Sequence, residues 1–396
     1  MKHKTFRFID TLALMLLASA LTLILSRNFH NRSTPRAYDI EAYAQDYVAL
    51  IQLIDDVYIG DFDIEGVTDA AMRAIVSSLG DRWSFYMTAN EYAEYLMSSS
   101  NQFTGIGVGV AIHESTGGME VLYTYKDSPA EIAGLSQGDV IISIDGNDIR
   151  GFTISEMRVL LSRPIGDTAL LDVIRADGNL EEITVAYDIV FSNPVSFELI
   201  GSDIGYVSIS NFEGNSGKSF VSAIEELLEM GAVSFIYDVR DNGGGMVHEM
   251  TEILDFLLPA GEIFISVNKT GRETITRSDA RMHNYPAVVI VNRYSYSAAE
   301  YFAALLREYE YAKIVGEQTT GKSRSQTTIL LPNGGALHIS TGQYFTKNRV
   351  ALYDVGGLTP DYELSHSSEE YSQYISGNLQ LEDDPQILLA ISVLRD

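Results

Sequence analysis

Apolar and polar positions divide the chain into stretches of different character. The first is an almost wholly apolar run of 18 residues, Phe8 to Leu25, close to the ~20 that a helix needs to cross a bilayer. From Ala37 to about Ser100 apolar residues recur at three- and four-residue spacing, in YVALIQLIDDVYI and VTDAAMRAIVSSL, which predicts amphipathic helices. At Phe103 the chain turns strand-like and Gly-rich (FTGIGVGVAI, MEVLYTY, DVIISIDG, ALLDVIRADG), with turn residues between the runs. From Ile204 onward the strand-like GYVSI, VSFIYDVR, AVVIVN and AKIVG alternate with the helical FVSAIEELLEM and AAEYFAALLREYEY. Such alternation predicts an α/β core around a largely buried sheet. Near the end, Asp384-Pro385 before QILLAISVL predicts a helix with Asp384 as N-cap and Pro385 in its first turn.

Length and charge sharpen this picture. A chain of 396 residues, 46% of them apolar, has room for two or three domains with sizeable cores. The net charge of −27 disfavours nucleic acid as a partner. The imbalance is uneven: residues 1–36 carry six basic residues against Asp10, a local net charge of +5, which leaves −32 for the other 360. With Lys2, Lys4 and Arg7 held inside, the apolar run reads as a signal anchor that leaves the acidic body outside the cytoplasm. A cleaved signal peptide is the alternative, but Ala18-Ser19-Ala20 lies inside the apolar run rather than after it. The absence of cysteine excludes disulfides, thiolate metal sites and a cysteine nucleophile.

Several motifs compete to carry chemistry. Gly316 to Ser323 fits the phosphate-loop pattern, yet the SRSQTTILL that follows is strand-like where a phosphate loop needs a helix. GIGVG at Gly105 to Gly109 also runs into a strand, which argues against a dinucleotide loop. Ser297 lies where the strand Val288 to Val291 gives way to a helix beginning at Ala298. That junction offers a nucleophile exposure and a developing oxyanion the free amides of a helix start. Taken alone, Ser297 and Glu300 also read as a helix-capping box. A serine nucleophile needs a base, and a buried lysine can serve when its pKa falls toward neutrality. Lys322 is the candidate, and Gln326, four residues on along a strand-like segment, would share its face. None of the seven histidines stands in a recognisable nucleophile–base arrangement.

In this order and at this spacing the segments resemble the carboxyl-terminal-processing, or tail-specific, serine peptidases. The resemblance runs over nearly the whole chain. It takes in the apolar anchor, LGDRWS at Leu79 to Ser84 where the family has LDPHS, IGYVSI, DVRDNGGG at Asp238 to Gly245, the SYSAAE serine box, GEQTTGKSRSQ and GGLTPD. The family places its base lysine 25 residues after the nucleophilic serine and a glutamine four further, spacings that Ser297, Lys322 and Gln326 meet. The resemblance implies that Ser297 attacks the scissile carbonyl, Lys322 takes and returns the proton, Gln326 positions Lys322, and the Gly244 and Ala298 amides stabilise the oxyanion. It implies no metal and no organic cofactor. The chain departs from the family at Gly243, where proline is usual, at Tyr296, where a small residue is common, at LGDRWS, and at Ser323, where a glycine often follows the lysine. None of these removes a catalytic functional group.

Residues 101–190 resemble a PDZ domain. There Gly105, Ile106, Gly107 and Val108 would hold a free C-terminal carboxylate, and the peptide would add as a strand. SPAEIAGLSQGDVIISIDG carries the likeness. The expected organisation is a multidomain α/β protein: an anchor and stalk (1–36), an N-terminal helical segment (37–100), the β-sandwich-like PDZ domain (101–190), a peptidase core of the Clp-protease/crotonase type (191–365) and a C-terminal helical tail (366–396). The expected partners are protein substrates with free apolar C-termini, the membrane, and a second copy through the terminal helices. A non-catalytic PDZ scaffold is the rival reading.

Overall fold

The computed structural model describes residues 40–279 and 281–395. The apolar run at 8–25 lies outside the described residues, and among those described no helix is long and apolar enough to cross a membrane. The described residues form two compact units that divide after Ala71. Helix α1 (Ile40–Val57) lies in the first, and α2 (Ile64–Ser77) crosses the division.

After the short strand β1 (Phe85–Met87) and helix α3 (Ala89–Ser98), the chain builds the PDZ-like body. Its elements are β2 (Gln102–Gly105), β3 (Val108–Ile112), β4 (Met119–Thr124), α4 (Pro129–Ile132), β5 (Val140–Ile144), β6 (Asn147–Asp148), α5 (Ile154–Leu160), β7 (Thr168–Ile174), β8 (Leu180–Ala186) and β9 (Asp188–Phe191). An antiparallel sheet runs in the order β3-β4-β5-β7-β8, with β6 on β5. The alternation along β7 turns Ala169, Leu171 and Val173 inward, against Met119, Ile141 and Met157. Strand β3 is left at the sheet edge, and β2 pairs with β9 to tie the entry of this body to its exit.

The core follows. Strands β10 (Val195–Ile200), β11 (Ile204–Ile209), β12 (Ser234–Asp238), β15 (Ala287–Val291), β16 (Ala312–Gly316) and β19 (Tyr362–Glu363) form one sheet in that order, parallel from β11 onward. All five residues of β15 are buried, as expected of a strand covered on both faces. The crossovers carry α6 (Ser216–Met230), α7 (Val247–Leu257) and α8 (Ala298–Glu308), packed on one face through Phe220, Ile253 and Phe302. On the other face α10 (Pro385–Arg395) buries Ile387 and Ala390 against Val288 and Ile290. Asp384 caps α10 through the Gln386 amide at 2.9 Å, with Pro385 opening the helix.

The pattern of apolar positions did not foretell the second sheet. Strands β13 (Gly261–Asn268), β14 (Glu273–Ser278), β17 (Arg324–Leu330) and β18 (Ala336–Phe345) join β1 in an antiparallel layer, ordered β1-β18-β13-β14 with β17 also on β18. Phe264 and Tyr344 of this layer pack edge-to-face on Tyr301 of α8, with ring centroids at 5.4 and 5.6 Å. Helix α8 is therefore packed between two sheets, which is why nine of its eleven residues are buried. Helix α9 (Ser368–Ile375) lies in the tail.

Candidate active site

Ser297 ends the loop behind β15 and begins α8 with φ +60° and ψ −121°. An L-residue rarely adopts this conformation, which costs about 1–3 kcal/mol and persists only when its surroundings impose it. Here the Ser297 amide donates to Glu300 Oε1 at 3.0 Å and its carbonyl accepts from the Tyr301 amide. The hydroxyl meets the buried phenol of Tyr344. Ser297, Ala298, Gly243, Gly245, Lys322 and Gln326 all line one cavity of about 890 Å³.

Lys322 is 9% exposed. Burial brings its pKa down to about 8, with a smaller push from the Arg82 charge, against the opposing pull of Glu300 and Asp81. Its amine lies 4.3 Å over the Trp83 ring, a cation–π contact, and among the described residues it makes no hydrogen bond. Glu300 is the piece that sequence reasoning undervalued by reading it as a cap. Its carboxylate accepts from the Ser297 amide on one side, and from Thr319 Oγ1 (2.7 Å), the Gly321 amide (2.8 Å) and the Lys322 amide (2.5 Å) on the other. One buried side chain thus fastens the serine turn to the loop that carries the lysine. The same bonds occupy the Gly321 and Lys322 amides that a phosphate loop would need, and the chain enters strand β17 at Arg324 rather than a helix.

The DVRDNGGG turn packs directly beneath Ser297. Gly244 has φ +91°, and a Cβ there would sit 2.7 Å from Ser297 Cβ and 2.9 Å from the Ala298 nitrogen, so only glycine fits. The Gly244 amide donates to Asn242 Oδ1 at 2.8 Å, so it can serve an oxyanion only once Asn242 lets go. The Ala298 amide stands at the first position of α8, where no intrahelical acceptor exists. Two departures from the family pattern explain each other here: a Cβ on residue 243, which proline would bring, would lie 2.6 Å from the Tyr296 hydroxyl. Gly243 makes room for Tyr296.

Gln326 is not hydrogen-bonded to Lys322. Its amide donates to the Arg324 carbonyl and Ser340 Oγ, both at 3.0 Å. The expectation of a shared face assumed an unbroken strand from 322 to 326. Lys322 instead precedes β17, though both residues line the one cavity; the extra residue at the β17–β18 register shift, Thr341, lies on β18 and leaves the alternation along β17 intact. In the PDZ-like body, Gly105 ends β2 and Ile106 is buried. The carbonyls of Ile106 and Gly107 accept from Ala130, Tyr125 and Ser128. Because a trans peptide sets N–H opposite C=O, the Gly107 and Val108 amides point away from those partners. Val108 then opens the edge strand β3.

Residues 203–364 match peptidase family S41, and residues 105–186 match the PDZ domain. A carboxyl-terminal-processing protease of Synechocystis is 28% identical over 74% of this chain and 70% of its own length. The carboxy-terminal processing protease CtpA of Bacillus subtilis is 27% identical over 96% of this chain and 82% of its own. The fold matches that of a Bacteroides fragilis protein assigned to the S41 proteases, with a TM-score of 0.56, 19% identity, and coverage of 86% of this chain and 92% of that one. An S41 core carrying a PDZ domain defines a serine peptidase. Residues 203–364 are thus an S41 peptidase core, and most of the chain is similar to carboxyl-terminal-processing proteases.

Proposed function

We propose that the chain is a membrane-anchored, extracytoplasmic serine endopeptidase that recognises substrate C-termini through its PDZ domain and cleaves with Ser297 and Lys322. The observation that carries this reading is a serine on strained backbone sharing one cavity with a buried amine whose pKa is held at about 8, both fastened to Glu300. Ser297 Oγ bonds to the scissile carbonyl carbon as its proton passes to Lys322 Nζ. The C–N bond then breaks, the proton goes to the leaving amine, and an acyl ester remains on Ser297. Water, deprotonated by the same amine, attacks that ester, and the proton returns to Ser297 Oγ. The Ala298 amide, joined by that of Gly244, would stabilise the oxyanion, and Gln326 would turn to hold Lys322.

Three groups must move first, since Lys322 rests on Trp83, Gln326 on Ser340, and the Gly244 amide on Asn242. This supports a gated enzyme with the PDZ domain as its substrate-operated lid. A chain of contacts is available for the gate. Asn101, before β2, bonds to Gly214 and Asn211, and Phe212 between them exchanges backbone hydrogen bonds with Gly244 and Met246. The free edge of β3 and the outward Gly107 and Val108 amides support capture of a C-terminal carboxylate. The anchor reading rests on the apolar run with its basic start, and the dimer reading on Ile40, Leu50 and Leu53 of α1, all more than half exposed.

A serine-directed fluorophosphonate should label Ser297 alone and stop cleavage in step with labelling, as read by peptide mass spectrometry. Label on another serine, or full labelling with cleavage retained, would sink the assignment. Peptides with free apolar C-termini should be cut about ten- to a hundredfold more efficiently than their amides, the range expected for charge-assisted hydrogen bonds. Equal rates would remove the carboxylate role of Gly107 and Val108.

A further inference from the structure

We propose that Arg82 is a specificity-determining residue, selecting substrates that carry an acidic side chain within two or three residues of the scissile bond. The inference rests on Ser297 and Lys322 as the reaction centre. Arg82 lines the cavity, is exposed to solvent, and has no acidic partner among the described residues. Its neighbour Arg324, by contrast, is answered by Asp81 at 3.6 Å.

The Arg82 guanidinium is not free to wander. It lies 4.2 Å over the Trp83 ring, and that ring packs on Tyr296, the residue before Ser297, at 5.5 Å. Trp83 is itself pinned, its amide bonding to Asp81 Oδ1, while Ser84 bonds to both Asp81 and Ser340. A stacked guanidinium keeps its donor fork presented to a carboxylate and loses less entropy on binding one. Lys322 Nζ lies 4.3 Å over the same ring, so the two cations are separated by at most the sum of those distances, about 8.5 Å. An extended peptide advances about 3.3 Å per residue, which puts Arg82 within two or three residues of the bond being cut.

The charge balance of the cavity points the same way. The body as a whole is strongly acidic, yet Arg82, Arg324 and Lys322 bring cations to this wall. Glu213 is the lone carboxylate among the lining residues, and burial pushes its pKa up to about 7, with the Glu249 charge adding to the shift. An acidic substrate side chain is therefore repelled by most of the surface and welcomed at Arg82. The chain's departures from the family at LGDRWS, Gly243 and Tyr296 meet around this wall, where Arg82, Trp83, Gly243 and Tyr296 all line the cavity.

The test uses the full chain in detergent micelles and matched peptides bearing Glu, Gln or Lys at each of the three positions on either side of the cleaved bond. At low salt the wild type should favour Glu over Gln by about three- to tenfold in kcat/KM at one of those positions, as expected for an exposed ion pair. Arg82→Gln should erase the ratio, Arg82→Glu should turn it toward Lys, and 0.5 M salt should shrink it. Equal cleavage of all three peptide sets, or an unchanged ranking in Arg82→Glu, would overturn the proposal. Fluorescence anisotropy of the same peptides on Ser297→Ala separates the two readings. A Glu preference in binding that persists while Ser297→Ala still cleaves would leave Arg82 standing and remove Ser297 as the nucleophile. Cleavage lost with no preference in binding would do the reverse.

Discussion

Lys322→Met is expected to give a protein that folds more stably than the wild type at pH 7 and cleaves at least about a hundredfold more slowly. The two effects share a cause. Burial lowers the Lys322 pKa from 10.5 to about 8, so the unfolded chain holds that proton more tightly than the folded one. Below about pH 8 the folded state bears the full penalty, about 3 kcal/mol, and above about pH 10.5 it bears none. A methionine of similar length removes the charge without opening a cavity, so its stability gain should be largest at pH 7 and fade toward pH 10.5. Activity runs the other way. With the neutral amine as the proposed base, wild-type kcat/KM should climb with pH through about 8. Loss of the base should cost roughly 10²–10⁴-fold, and because serine and lysine act as one unit, Ser297→Ala/Lys322→Met should be no worse than Ser297→Ala. Urea melts at pH 7 and 10, read beside cleavage rates, check both halves. An active Lys322→Met protein, or one inactive because it is unfolded, would refute the assignment.

The α/β core was legible because strands buried on both faces leave a plain mark: Val288 to Val291 is an uninterrupted apolar run whose neighbours are long amphipathic helices. The proposed pair of Ser297 and Lys322 came from the order and spacing of motifs, which survive in one dimension, and the fold brings both to one cavity. Contacts between distant segments were not. Glu300 reads locally as a cap, and nothing in SYSAAE announces that its carboxylate also reaches Thr319, Gly321 and Lys322. Its buried position was the available signal, since a carboxylate rarely sits on an otherwise apolar helix without partners. Trp83, Asn242 and Tyr344 are brought to the site by the fold alone. Gln326 shows how far periodicity reaches: the spacing agrees with Lys322 and Gln326 lining one cavity, but it could not show that the Arg324 carbonyl and the Ser340 hydroxyl hold the Gln326 amide. Apart from SRSQTTILL, which became β17, the antiparallel layer went unread because half-exposed strands such as ETITRS carry too few apolar residues to stand out.

Asp384→Ala should be the most destabilising single change in the C-terminal tail, at about 3–5 kcal/mol. Arg240, in the same DVRDNGGG turn that carries Gly244, is 5% exposed and wholly committed. It pairs with Asp238 at 2.5 Å and Asp384 at 2.7 Å, donates to Gln386 at 2.9 Å, and lies 4.4 Å over the Tyr374 ring. Removing Asp384 leaves that guanidinium buried with half its charge balance gone, uncaps α10 at the Gln386 amide, and deprives His366 of its 2.9 Å partner. Asp384→Asn keeps the cap oxygen but not the charge, so it should fall between the alanine variant and the wild type. Burial pushes the Asp384 carboxyl upward, but Arg240 and His366 pull it further down, so its net pKa lies below the usual value of 3.8. The stabilisation is therefore present above about pH 4 and lost as pH falls through the lower folded-state pKa, so the alanine variant should lack that part of the acid transition. Because Arg240 anchors the turn beneath Ser297, cleavage should weaken together with the grip of the tail, even at temperatures where Asp384→Ala remains folded. Urea midpoints for the three proteins, with cleavage rates at 25 °C, test the clamp. A loss below about 1 kcal/mol would mean that Arg240 finds another partner, and unimpaired cleavage would uncouple the tail from the site.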